Sequence, residues 1–175
     1  MNRRIVLMGA LLAAAPLLAG PPAADPRIEA GRLAWFALDE TREQIAARIG
    51  APALVAPFGA DFIAWQYKFG TDDHDGFSHF LVFRKSDGKL AMVTRNFDEE
   101  QPLGALFPDS ASVVCEYKEA GRAPYSVRVR RLEGGRVLLA MGAAKAGDTT
   151  TQIVMARVEA LRYFFPWLHR QLTEE

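Results

Sequence analysis

The chain has 175 residues, half of them apolar, with 21 basic side chains, 21 acidic ones and a single cysteine. That length and apolar content suit one domain with a real core and exclude a disordered chain. The even charge excludes the strongly basic face that nucleic acid demands, and gives no reason to expect adhesion to an anionic membrane.

The first segment reads "MNRRIVLMGALLAAAPLLAGPPAADP". Arg3 and Arg4 form a basic start, an apolar run follows from Ile5 to Ala19, and small residues then offer cleavage after Ala19 or Ala24. This is the pattern of a secretory signal peptide over residues 1–24. The apolar run is short for a bilayer span and is broken by Pro16, Pro21 and Pro22, so a stable membrane anchor is not expected. The order Arg3-Arg4-Ile5-Val6-Leu7 also fits a loose twin-arginine pattern, which leaves the export route open. No cysteine follows the apolar run to carry a lipid. The expectation is a periplasmic or secreted protein whose residues 25–175 form a single domain.

Residues 25–38 read as a short helix or an irregular lead-in. The clearest helix is "TREQIAARIGAP": Thr41 and Gln44 make a capping box, Ile45 and Ile49 share one face, and Gly50 with Pro52 stops it. "APALVAPFGA" reads as a proline-punctuated connection. The period then becomes two: in "DFIAWQYKF", Ile63, Trp65, Tyr67 and Phe69 alternate with Ala64, Gln66 and Lys68. Asp87-Gly88 marks a hairpin, Gly134-Gly135 another, and "KAGDTTT" a third before "TQIVMARV". "EALRYFFPWLHRQL" reads as helix, kinked or restarted at Pro166. The fold class expected is therefore α+β: a single antiparallel β-sheet of about seven strands, with a short N-terminal helix and a C-terminal helix packed on one face.

The capped helix from Thr41 to Gln44, its end at Ile49-Gly50-Ala51-Pro52, the strand with Trp65-Gln66-Tyr67 and the turn Asp87-Gly88-Lys89 occur in a set order. In that order, over residues 36–95, the chain resembles the SmpA/OmlA (BamE-like) family, whose fold recurs in beta-lactamase-inhibitor-like proteins. The resemblance implies an envelope protein that binds other proteins and has no catalytic residues.

Three groups of residues are candidates for a site. Asp72, Asp73, His74 and Asp75 are consecutive, and His79 follows. Carboxylates with imidazole suit zinc, manganese or iron. However, neighbours in a chain converge on one ion only if the loop curls around it, and the acidic spacing of an EF-hand is only partly met. The favoured reading is a solvated hairpin tip, with His79, which alternates with Leu81 and Phe83, at the edge of the core. The second group is Arg128 and Arg130, which share one side of a strand and would grip an acidic partner if other arginines line up beside them. The alternative is a solvated face of cross-strand charge pairs. The third is the aromatic C-terminal segment, where Phe165 and Trp167 are candidate partner anchors or, alternatively, core. Cys115 alternates onto the apolar side of its strand and is expected to be an inert buried thiol. No nucleophile elbow, phosphate loop or dinucleotide turn occurs. The functional expectation is an exported binding or envelope-assembly protein without cofactor or nucleic acid, acting on an envelope or periplasmic protein. The alternatives are a metal-dependent enzyme using the Asp72–His79 loop, or a small-ligand carrier.

Overall fold

A computed structural model describes residues 32–33, 35–69, 77–103, 106–118, 124–143 and 149–174. A two-stranded ribbon, β1 (Arg32–Leu33) and β2 (Phe36–Ala37), precedes helix α1 (Arg42–Ile49). The main sheet then follows: β3 (Leu54–Phe58), β4 (Phe62–Phe69), β5 (Phe77–Arg84), β6 (Leu90–Pro102), β7 (Ser112–Tyr117), β8 (Tyr125–Leu132), β9 (Arg136–Met141) and β10 (Thr149–Arg157). Helices α2 (Val158–Phe164) and α3 (Pro166–Thr173) close the chain. No helix among the described residues is long and apolar enough to cross a membrane.

The eight strands lie in the order β3-β4-β5-β6-β10-β9-β8-β7, every neighbouring pair antiparallel. The order is two four-strand meanders, β3–β6 and β7–β10, joined where their last strands pair. Where the connections are described, short turns join β3 to β4, β5 to β6 and β8 to β9. Gly88 (φ 68), Gly134 (φ 70) and Gly135 (φ 69) supply the left-handed backbone two of these turns require. After β6 the chain crosses one face of the sheet and reaches the far edge as β7.

Period-two alternation sorts the core into two clusters on opposite faces. The first holds Tyr67, Leu81, Phe83, Val93, Leu138 and Met155, and is covered by Leu33 and Phe36 of the ribbon, Ile45 of α1, and Leu103 and Phe107 of the crossing segment. The second holds Val82, Met92, Val127, Leu139 and Val154, and is covered by Leu161, Leu168 and Leu172 of α2 and α3.

The expected fold class needs three corrections. Among the described residues the sheet has eight strands, not about seven, and a separate two-stranded ribbon precedes it. The missing strand is β3, the segment read as a connection. An edge strand tolerates Pro57 because one side of its backbone pairs with no neighbour. The C-terminal helix is two helices, because Pro166 begins α3 and Phe165 breaks the run. Finally, the N-terminal and C-terminal helices cover opposite faces, not one, since Ile45 and Leu161 belong to different clusters.

An ion-pair network ties the ribbon to one end of the sheet. Asp39 adopts a left-handed backbone (φ 72) and its carboxylate accepts hydrogen bonds from Arg157 at the end of β10. Arg84 at the end of β5 lies 3.8 Å from the same carboxylate and pairs with Asp87 at 2.8 Å. The Arg157 hydrogen bond is the main cause that holds the Asp39 carboxyl below its ordinary 3.8. A depressed carboxyl stabilises the fold above its ordinary value, and the contribution disappears as pH falls through the folded value. Asp39→Asn keeps the backbone preference and removes the charge. It should cost about 1 kcal/mol at neutral pH, and less below the ordinary aspartate range. Chemical denaturation at both conditions checks this; an equal cost at both would contradict it.

Candidate partner-binding groove

Strand β7 is one edge of the sheet. Val113, Cys115 and Tyr117 stand opposite Val129, Val127 and Tyr125, on the face that α2 and α3 cover. Ser112, Val114 and Glu116 stand opposite Arg130, Arg128 and Ser126, on the other face. The apolar edge is open on both sides: Val113 is 52%, Val114 40%, Tyr125 39% and Tyr117 36% exposed.

The direction of the backbone follows from two hydrogen bonds. The Ser126 carbonyl accepts from Gly142 N–H, so Ser126 bonds toward β9 and away from β7. Its opposite residue, Glu116, therefore turns its own N–H and C=O outward. The Gln171 side-chain amide does donate to the Glu116 carbonyl, at 3.1 Å. By alternation Ser112 and Val114 also point their backbone groups outward, while Val113, Cys115 and Tyr117 bond inward to β8.

Helix α3 flanks this edge. The Trp167 ring lies 5.4 Å from the Tyr117 ring, and the two elements frame a groove of about 660 Å³. Val114, Tyr117, Trp167, Arg170, Gln171 and Glu174 line it. The opposite edge, β3, is different: Leu54 and Val55 are exposed there, but Pro57 lies within the strand. Proline lacks the N–H of an added ladder and blunts an edge.

The candidate residues fall in distinct places. Trp167 is half-buried, packs against the second cluster and forms one wall of the groove. Phe165 sits at the break between α2 and α3, also half-buried against that cluster. Arg128 is buried; it donates to Ser112 Oγ at 2.9 Å and pairs with Asp109. Arg130 donates to the Leu106 carbonyl at 3.0 Å. Both guanidinium groups thus hold the crossing segment and the start of β7.

Asp72, Asp73, His74 and Asp75 lie outside the described residues. His79 is fully buried on β5, with Tyr67 opposite it on β4 and Arg95 opposite it on β6. The rings of Phe36 and Trp35 lie 5.3 and 5.5 Å from it. Arg95 is also buried, and its guanidinium lies 4.6 Å from the Phe97 ring centroid. Burial first, and then the positive charge of Arg95, lower the His79 pKa from 6.5 to about 3. This imidazole is therefore neutral at physiological pH, and the guanidinium beside it opposes a cation there. Among the described residues no group of three or more His, Cys, Asp and Glu is placed to hold a metal ion. Cys115 is buried.

Val113, Val114 and Tyr117 were not singled out from the sequence as site residues. Their alternation marked a strand, but only the strand order makes that strand an edge.

The architecture defines an antiparallel sheet covered on both faces, with one open apolar edge beside a helix. No family model matches the chain, and no curated protein is similar to it in sequence. In structure it is similar to a cysteine-rich secretory protein from Staphylococcus aureus subsp. aureus Mu50, at 10% identity and a TM-score of 0.48, over 71% of this chain and 46% of that one. The chain spans less than half the length of that protein.

Proposed function

We propose that this is an exported, periplasmic, non-catalytic binding protein of SmpA/OmlA-like type, which captures an envelope protein by accepting one of its extended segments on β7. The outward N–H and C=O groups of Val114 beside the Trp167 wall carry this reading. Such backbone groups are satisfied by an added strand, and a flanking aromatic side chain anchors it. Val113 and Val114, on opposite faces, provide contacts for alternate side chains of that strand. The signal-like start supports export. The family resemblance is supported by the order of the capped helix α1, the aromatic strand β4 and the β5–β6 hairpin. Phe165 takes part by setting the position of α3, and Arg128 and Arg130 by fixing where β7 begins.

The test uses the mature chain as bait in detergent-solubilised envelope, beside two variants. Trp167→Ala removes the anchor and should weaken capture of a discrete partner at least tenfold. Val114→Pro removes an outward N–H while leaving the ladder to β8 intact, and should weaken capture by a similar factor. Loss with Trp167→Ala alone would leave a side-chain patch but no added strand. Undiminished capture by both variants would overturn the proposal.

A further inference from the structure

The open stretch of β7 is short, because the chain itself closes both of its ends. Before Ser112 the backbone leaves the line of the strand. Asp109–Ala111 form a 3-10 turn, in which Ala111 N–H donates to the Pro108 carbonyl at 3.0 Å. Ser112 Oγ donates to the same carbonyl at 2.8 Å, and Arg128 holds the turn from β8 through Ser112 Oγ and Asp109. A ladder along β7 therefore has no extended backbone to pair with ahead of Ser112.

Gln171 stands at the other end. Trp167 and Gln171 are four residues apart on α3, so they share one face of that helix. Both touch β7: Trp167 meets the Tyr117 ring at 5.4 Å, and Gln171 Nε2 donates to the Glu116 carbonyl at 3.1 Å. That carbonyl points outward, where an arriving strand would place its own N–H. The Gln171 amide takes that place, and its side chain stands in the path of the strand. Helix α3 is itself anchored here, because the Leu172 carbonyl accepts from Arg131 of β8 at 2.7 Å. A side chain that covers a strand edge in this way stops further pairing.

Between the two ends, Ser112 and Val114 turn both N–H and C=O outward. They offer about four backbone hydrogen bonds to an added strand. We propose that Gln171 caps β7 at Glu116, so that the partner contributes only a short extended segment, paired along Ser112–Val114, which then turns away from the edge. Two successive residues of that segment are apolar, because they meet the exposed side chains of Val113 and Val114 on opposite faces. This proposal rests on strand addition at β7 and adds its length and register.

The test compares variants by the amount of the discrete partner captured from detergent-solubilised envelope at equal bait. Glu116→Pro removes the outward N–H of Glu116, keeps the carbonyl that Gln171 binds, and gives up only the exposed pair with Lys118. In the otherwise unaltered chain it should change capture by less than about twofold, whereas Val114→Pro weakens it. Gln171→Ala should strengthen capture about fivefold, the effect of roughly one further net hydrogen bond, and Glu116→Pro in that background should cancel the gain. Retained melting temperatures separate these effects from a folding defect. Should Glu116→Pro fail to fold, Gln171→Ala decides alone, since its side chain is exposed and the strand does not depend on it. Equal weakening by Glu116→Pro and Val114→Pro in the otherwise unaltered chain, or no gain with Gln171→Ala, would overturn the cap and leave strand addition standing. No effect of Val114→Pro would remove strand addition itself, and the cap with it.

Discussion

Lowering the pH from about 7 to about 4 should cost the protein on the order of 3 kcal/mol of stability through His79 alone. The sign follows from where the proton goes. In the unfolded chain His79 takes up a proton below its ordinary 6.5, while in the folded chain burial and Arg95 delay uptake until about 3. Between those values the unfolded state binds more protons, so stability falls by roughly 1.4 kcal/mol per pH unit as the solution is acidified. Above the ordinary histidine value the effect vanishes. The window differs from that of Asp39, whose contribution is lost only below the ordinary aspartate value. Urea denaturation across the range measures the slope. A His79→Gln variant does not titrate, so whatever its stability at neutral pH, its curve should lose this slope. An unchanged slope in the variant would show that the imidazole is more accessible to water and protons than its position on β5 implies.

Phe36→Ala should remove roughly 3–5 kcal/mol, the cost of emptying a fully buried aromatic position. Phe36 is 0% exposed and lies 5.7 Å from the Tyr67 ring as well as 5.3 Å from His79. It enters the first cluster from a ribbon only two residues wide on each strand. The backbone around it is tied by bonds from Asp39 N–H to the Leu90 carbonyl, Leu90 N–H to the Glu40 carbonyl, Ala37 N–H to the Glu40 carboxylate and Arg48 to the Trp35 carbonyl. Its ring is held by packing in the first cluster. The same substitution admits water to the imidazole, so the His79 pKa should rise toward its ordinary value and the acid slope should flatten. Denaturation gives the first quantity and a proton NMR titration of His79 gives the second. A loss under about 1 kcal/mol would mean that the ribbon is not part of the core.

Much of the sheet was legible before its structure. The segments with clean period-two alternation, from "DFIAWQYKF" onward, contain the strands from β4 to β10. The capping box at Thr41 and Gln44 forms as its residue types predict, with the Thr41 hydroxyl accepting from Gln44 N–H at 3.3 Å. The strand β3 was hidden because Ala51, Pro52 and Pro57 imitate a connection, and because an edge strand needs only one side of its backbone. The ribbon was hidden because two residues per strand carry no period.

Strand order was not legible, and the candidate site depends on it. The described short turns, at β3–β4, β5–β6 and β8–β9, specify neighbours, but nothing local specifies that the chain after β6 crosses to the far side. That crossing makes β7 an edge and puts Val114 in a groove beside Trp167. It also explains why Arg128 and Arg130, which look from their spacing like a presented pair, hold the crossing segment in place. Alternation with Leu81 and Phe83 put His79 at the core edge, whereas the ribbon's rings bury it fully. Its position opposite Arg95 depends on the β5–β6 register, which shifts by a bulge between Val82 and Phe83.

If β7 receives a partner strand, a photoreactive residue on that edge should crosslink to the partner in the intact envelope. A photoreactive residue is placed at Val114, and for reference at Leu54 on the opposite edge. Strand addition predicts a discrete adduct from Val114 that disappears when Trp167 is alanine, with no such adduct from Leu54. No adduct from Val114, or the same adduct from both edges, would contradict it.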